Sequence, residues 1–153
     1  MFIGMQQLPE PLLAEPRLTL ADYRRLAAFR LTLRRFMARA EANARAAGLT
    51  AQQHQALLSI KGGYPRRREV TIGDLAEHLL LKNHSAVELV GRLAKAGLVI
   101  RGPSPEDRRR ICLRITEKGE RVLRRLSQSN LRELRAAQAM MQTLLHGLGE
   151  GQF

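Results

Sequence analysis

The 153-residue chain carries 26 Lys and Arg against 14 Asp and Glu, a formal charge of +12, and is 44% hydrophobic. That is the length of one domain with appendages, and its apolar content supports a core and excludes a disordered basic tail. Aliphatic runs such as Leu79-Leu80-Leu81 fall far short of the ~20 apolar residues of a membrane span, so no membrane association is expected. Met1 to Gln7 lacks the basic flank and apolar run of a secretory signal, which makes the cytoplasm the expected location, and a lone Cys112 permits no internal disulfide. An excess of positive charge draws in nucleic acid or acidic membrane, so an anionic partner is the first expectation.

Residues 1–18 form a leader containing Pro9, Pro11 and Pro16. Thr19 followed by Asp22 is an N-cap signal, and Leu26, Phe29, Leu33, Phe36, Met37 and Ala40 recur every three or four residues. A first helix therefore runs to Gly48, its other faces dressed with Arg24, Arg25, Arg30, Arg34, Arg35 and Arg39. Thr50 with Gln53 opens a short second helix through Leu57, Leu58 and Ile60, which Gly62-Gly63 ends. A basic loop, residues 64–69, leads to Thr71 and Asp74, which cap a third helix of about two turns through Leu75, Ala76 and Leu79.

After the break at Leu81-Lys82-Asn83, a helix from His84 to Ala96 places Ala86, Leu89, Val90 and Leu93 on one buried face, and Gly97 closes it. Its other face carries His84, Ser85, Glu88, Arg92 and Lys95, with Gly91 presenting no side chain. Leu98 to Arg101 and Ile111 to Ile115 are β-prone runs around a loop rich in Pro, Gly and charge, which predicts a two-stranded hairpin with a basic tip at Arg108-Arg109-Arg110. Cys112 should face away from Ile111 and Leu113, and a redox role for it would need a lowered thiol pKa. From Thr116 the helical period returns, with Leu123, Leu126, Leu131, Leu134, Met141, Leu144, Leu145 and Leu148 supplying more apolar surface than a small core absorbs. Breaks at Ser127–Asn130 and at Ala136–Gln138 both fit the pattern.

The predicted fold class is mainly α with a small β-hairpin wing, that is, a winged helix-turn-helix. Such a layout suits duplex DNA, with the second helix in the major groove and cations on phosphate or in the adjacent minor groove. Lys82, Arg92, Arg101, Arg108, Arg109 and Arg110 are the candidate phosphate or groove contacts. Asn83, His84, Ser85, Val87 and Glu88 occupy the helix start, where Asn83 serves either as a cap or as part of the reading face. Glu88 is placed to accept from cytosine N4 and Val87 to touch a thymine methyl. The four histidines lack ligand-spaced companions, so neither a metal nor a cofactor is expected, and no catalytic motif appears.

Four motifs in order resemble one family. They are Asp74-Leu75-Ala76-Glu77, the run Leu93-Ala94-Lys95-Ala96-Gly97-Leu98-Val99, the wing PSPEDRRR at 103–110, and Ile115-Thr116-Glu117-Lys118-Gly119. Together with GLTAQQHQALLSI at 48–60 they are similar to the MarR-type transcriptional regulators, over roughly Ala21 to Leu148. This resemblance implies a homodimer built on helices in 19–48 and 116–148, a DNA-binding domain at 49–115, a tail at 149–153, and a palindromic operator. It further implies a repressor, with Asp107 pairing with and orienting Arg109 for the minor groove, and a small, often phenolic or lipophilic effector lodged between dimerisation helices and winged domain. Which ligand it would be is unreadable in the sequence. Val87-Glu88 departs from the family's Thr-Arg at these positions, which leaves base preference open. The competing expectations are a non-specific architectural nucleic-acid binder and a winged-helix adaptor for protein.

Overall fold

A computed structural model describes residues 18–63 and 69–149, the last three without their side chains. The leader and most of the basic 64–69 loop lie outside the described residues. Helix α1 spans Leu20–Ala46 and opens on a capping box: the Asp22 amide donates to the Thr19 hydroxyl at 3.3 Å and the Thr19 amide to the Asp22 carboxylate at 2.8 Å. The same reciprocal device opens α2, Ala51–Gly62, with Thr50 and Gln53, and α3, Ile72–His78, with Thr71 and Asp74. Gly63 ends α2 in the left-handed conformation, at φ 63°, which glycine adopts without steric cost.

Helix α4 spans Asn83–Lys95, and strands β1, Val99–Pro103, and β2, Ile111–Ile115, pair antiparallel with Val99 opposite Ile115 and Pro103 opposite Ile111. Val70 bridges to Leu113 on the other edge, its carbonyl accepting from the Leu113 amide at 2.8 Å. Helix α5 then runs unbroken over Glu117–Gly149. Neither predicted break occurs: no Pro or Gly lies between Gly119 and Gly147, and the polar run is put to use, since the Asn43 amide donates to Ser129 at 3.0 Å.

The core is that of the winged helix. Leu57, Leu75, Leu89, Val90, Leu93, Val99 and Leu113 are buried there with Leu123 and Leu126 from the start of α5, and each such aliphatic side chain contributes roughly 1.5–3 kcal/mol of burial. Helix α1 enters it only through Ala44. It lies along α5, tied by Thr32 to Met140 and by an ion pair between Arg39 and Glu133, and only Thr32 and Ala44 of it are buried. Most of the apolar stripe read in the sequence is therefore uncovered within one chain: Leu26, Met37, Leu131, Leu134 and Leu145 are all exposed. Among the described residues, no helix is long and apolar enough to cross a membrane.

Candidate nucleic-acid interface

The expected buried face of α4 is the one observed, with Ala86, Leu89, Val90 and Leu93 against the core. That packing turns Asn83, His84, Val87, Glu88 and Arg92 outward and leaves Ser85 half-buried. The helix begins one residue earlier than its periodicity suggests. Lys82, extended at φ −68° and ψ 149°, holds the N-cap position, so Asn83 is the first helical residue and not the cap. A lysine side chain has no acceptor, so no side-chain bond caps α4, and the first-turn amides face outward with the macrodipole's positive end. Glu88 and Arg92 lie 3.9 Å apart one turn from each other, both exposed, a pairing worth only about 0.3–0.5 kcal/mol.

Just before α4, Leu80 sits at φ 53°, the one non-glycine residue with positive φ among those described, and it is 93% exposed. The amides of Leu80 and Leu81 reach back to Glu77 and Ala76 in a left-handed helix end, where glycine is the usual occupant.

In the wing, Asp107 shapes the tip. Its carboxylate accepts from the Arg109 backbone amide at 3.0 Å, and its carbonyl from the Arg110 amide at 2.9 Å. The expected link between Asp107 and Arg109 thus runs through the main chain instead of the guanidinium, because a carboxylate two residues back reaches the amide of a tight turn first. Arg108 and Arg109 are exposed and carry no ion pair among the described residues. Arg110 differs: its guanidinium turns back to Asp74, 3.7 Å away, the buried acid of the α3 capping box. It fastens wing to helix-turn-helix, so the tip presents two free arginines instead of three.

Arg101 is exposed on β1, and its guanidinium lies 4.0 Å from where a Cβ on Gly91 would stand. The bare surface at Gly91 thus lies beside the chain's own arginine. Arg114, to which the sequence assigns no role of its own, braces the hairpin by donating to the Pro103 carbonyl at 2.7 Å and pairing with Glu69 at 3.4 Å. Cys112 is fully buried, and burial, reinforced by the charge of Glu69, raises its thiol above the ordinary range, opposite to what thiolate chemistry needs.

A second feature lies between α1, α2 and α5: a cavity of about 440 Å³ walled chiefly by Phe36, Met37, Leu58, Leu131 and Leu134. His54 and Asn130 also line it, and His54 Nε2 and Asn130 Oδ1 are buried without any hydrogen-bond partner. Burial pushes the His54 imidazole below its usual pKa, so the ring is neutral at pH 7. In the sequence His54 is one of four scattered histidines, and only the folded chain sets it against α5.

Residues 47–110 match the sequence model of the MarR family. Over that stretch the chain is similar to the MarR family. A Thauera aromatica protein named as a putative transcriptional regulatory protein for the hcr operon is 39% identical over 59 residues, a match spanning 39% of this chain and only 36% of that protein's length. Among solved structures, the MarR-like fold is shared with a mutant of S. aureus MepR bound to an oligodeoxyribonucleotide, at TM-score 0.62 and 18% identity over 85% of this chain and 98% of that one. It is shared likewise with CouR from Rhodococcus jostii RHA1 bound to p-coumaroyl-CoA, at TM-score 0.62 and 20% identity, over 88% and 97% of the respective chains. At those identities the likeness concerns the fold. In the stretch that resembles the family's hinge motif, Thr116 Oγ1 donates to the Gly97 carbonyl at 2.7 Å and Lys118 to the Ala96 carbonyl at 2.8 Å, stitching α5 onto the end of α4.

Proposed function

We propose that this protein is a double-stranded DNA-binding transcriptional regulator, a repressor that grips a palindromic operator as a homodimer and responds to a small-molecule effector. The observation that carries this reading is the joint outward display of the α4 reading face and the unpaired Arg108 and Arg109 at the wing tip, on a chain of charge +12. Lys82, Asn83, His84 and Ser85 enter the major groove at the N-terminal end of α4, where the amides and the dipole favour phosphate. Val87 and Glu88 meet base edges, Arg92 and Arg101 the flanking backbone, and Arg108 and Arg109 the minor groove. Arg110 and Asp107 hold the wing in place.

The homodimer is supported by the apolar residues left exposed on α1 and α5, Leu26, Met37, Leu131, Leu134 and Leu145, since monomers rarely leave such a surface bare. Two copies must present their α4 helices about 34 Å apart, one turn of duplex, to enter successive major grooves. Effector control is supported by the cavity, because its walls come from both the winged domain and the long helices whose relative angle sets that spacing.

The test is selection of bound duplexes from a random pool at ~150 mM salt, which suppresses counterion-driven background. Enrichment of an inverted repeat with half-sites about 10 bp apart is the expected result. Binding without enrichment would instead make this a non-specific architectural protein, and absence of binding would favour a protein adaptor.

A further inference from the structure

We infer that Leu80 and Gly91, which border the outward face of α4, are shaped to duplex DNA: Leu80 as an apolar contact at the entrance of the helix, and Gly91 as the bare spot that lets a phosphate settle against Arg101. This rests on the DNA-binding reading given above and adds two residues to its contact surface.

Both positions weaken the fold, and nothing in the fold requires either. A leucine seldom adopts the left-handed backbone that Leu80 holds at φ 53°, because its Cβ crowds the following carbonyl oxygen. Its neighbours Leu79 and Leu81 pack against the core, whereas Leu80 is 93% exposed, so the strained residue gains no burial in return. Glycine would hold the same turn without strain. At Gly91 the mismatch is reversed. Glycine inside a helix is disfavoured relative to alanine, and a Cβ there would meet nothing closer than the Arg101 guanidinium at 4.0 Å, an ordinary contact. Local choices that the chain itself does not use concentrate where a partner must be met.

Position identifies the partner. Leu80 stands two residues before Lys82, the N-cap of α4, and Gly91 shares a helical face with His84 and Glu88, seven and three residues back. Exposed cations flank both positions, Lys82 beside the turn and Arg101 against the glycine. Bare backbone beside a guanidinium admits an anion more closely than any side chain would allow, and the repeating anion of a duplex is its phosphate. For an apolar side chain at the edge of a groove, the duplex offers the C5-methyl of thymine and the C–H face of deoxyribose.

The experiment measures the affinity of the full-length parent and its variants for a duplex enriched from the random pool, with melting curves at one fixed protein concentration alongside. Gly91→Ala should melt at or above the parent temperature yet bind about tenfold more weakly, the loss of one charge-assisted contact. The slope of its log Kd against log salt should fall by about one. Leu80→Gly should likewise melt no lower and bind roughly fivefold more weakly, while Leu80→Met, as apolar and as strained, keeps the parent affinity. Higher stability with weaker binding is the signature, since a residue that serves only the fold moves both together. Uracil in place of every thymine separates the two apolar surfaces: a larger loss in the parent than in Leu80→Gly puts the leucine on a methyl group, and equal losses put it on deoxyribose. Parent-like binding by either variant, or a lowered melting temperature in Gly91→Ala, would overturn the assignment of that residue and leave the regulator reading intact. A parent that binds no duplex would refute that reading itself, and the inference with it.

Discussion

Gly119 offers a sharp test of how the long helix is joined to the winged domain. A Cβ added there would fall inside the van der Waals shell of the Leu98 carbonyl oxygen, 2.7 Å from Ile115 Cγ1 and 3.2 Å from the Leu98 carbonyl carbon. Neither obstacle can swing aside. The Leu98 carbonyl also accepts from the Thr116 amide at 3.0 Å, and the neighbouring Thr116 and Lys118 bonds to Gly97 and Ala96 pin the same junction. To admit a methyl group at ordinary contact distance, the first turn of α5 must retreat by roughly 1 Å. Overpacking of this kind costs about 1–3 kcal/mol, and a fixed backbone obstacle places it at the upper end. Weakening of the pinned hydrogen bonds adds about 1 kcal/mol, and the better helix propensity of alanine returns about the same. Gly119→Ala should therefore destabilise the protein by about 3 kcal/mol, or roughly 6–12 °C in Tm for a chain of this size. Gly91→Ala is the control, since its Cβ meets only the tip of Arg101 at 4.0 Å inside a helix; it should gain up to about 1 kcal/mol. Urea and thermal unfolding by circular dichroism, at one fixed protein concentration, read both. A Gly119→Ala protein that melts at or above the parent temperature would refute the close approach of α5 to Leu98.

Other perturbations test separate parts of the structure. Leu80→Gly should raise the unfolding free energy, read from urea titration, by about 0.5–1 kcal/mol, because relief of the left-handed strain exceeds the added backbone entropy of glycine and the exposed side chain buries nothing; a loss of stability would show that Leu80 packs on something. Arg109→Ala should lower operator affinity by roughly 10–100-fold with the melting temperature unchanged, whereas Arg110→Ala should destabilise the fold by about 1–2 kcal/mol through Asp74. Reversed phenotypes in gel-shift and melting assays would exchange the roles assigned to the two arginines. His54 gives a pH dependence of fixed sign: its folded pKa is depressed by burial, so below the unfolded value near 6.5 the unfolded chain binds the proton and the folded chain resists it. Stability is complete above that pH and declines as pH falls toward the lowered folded value. The urea midpoint should drop between pH 7.5 and pH 5.5 in the parent and drop less in His54→Gln; parallel curves would show that His54 does not carry the effect.

What the sequence determined by itself is what short-range physics decides. The capping boxes at Thr19, Thr50 and Thr71 depend on residues three apart, so they are legible wherever the pair occurs. The buried stripe of α4 follows from single-element periodicity and the two strands of the hairpin from β-prone runs around a charged loop, and the structure has both a buried α4 stripe and a paired hairpin. The order of motifs sufficed for the resemblance, and the family model matches at residues 47–110. The start of α4 was misplaced by one residue because a lysine at the N-cap leaves no signature, and α5 was expected to break because polar runs look alike whether they end a helix or bond to a neighbouring one. Tertiary structure alone decided which arginines are free. Arg108, Arg109 and Arg110 are identical as sequence, and only the return of the wing onto α3 pairs the third with Asp74, 36 residues away. The same holds for Gly119, whose missing side chain matters because Leu98 passes over it, and for His54 and Asn130, which share a cavity only once α2 packs beside α5. Distances between residues far apart in the chain are set by the sum of all packing contacts, and no local pattern encodes that sum.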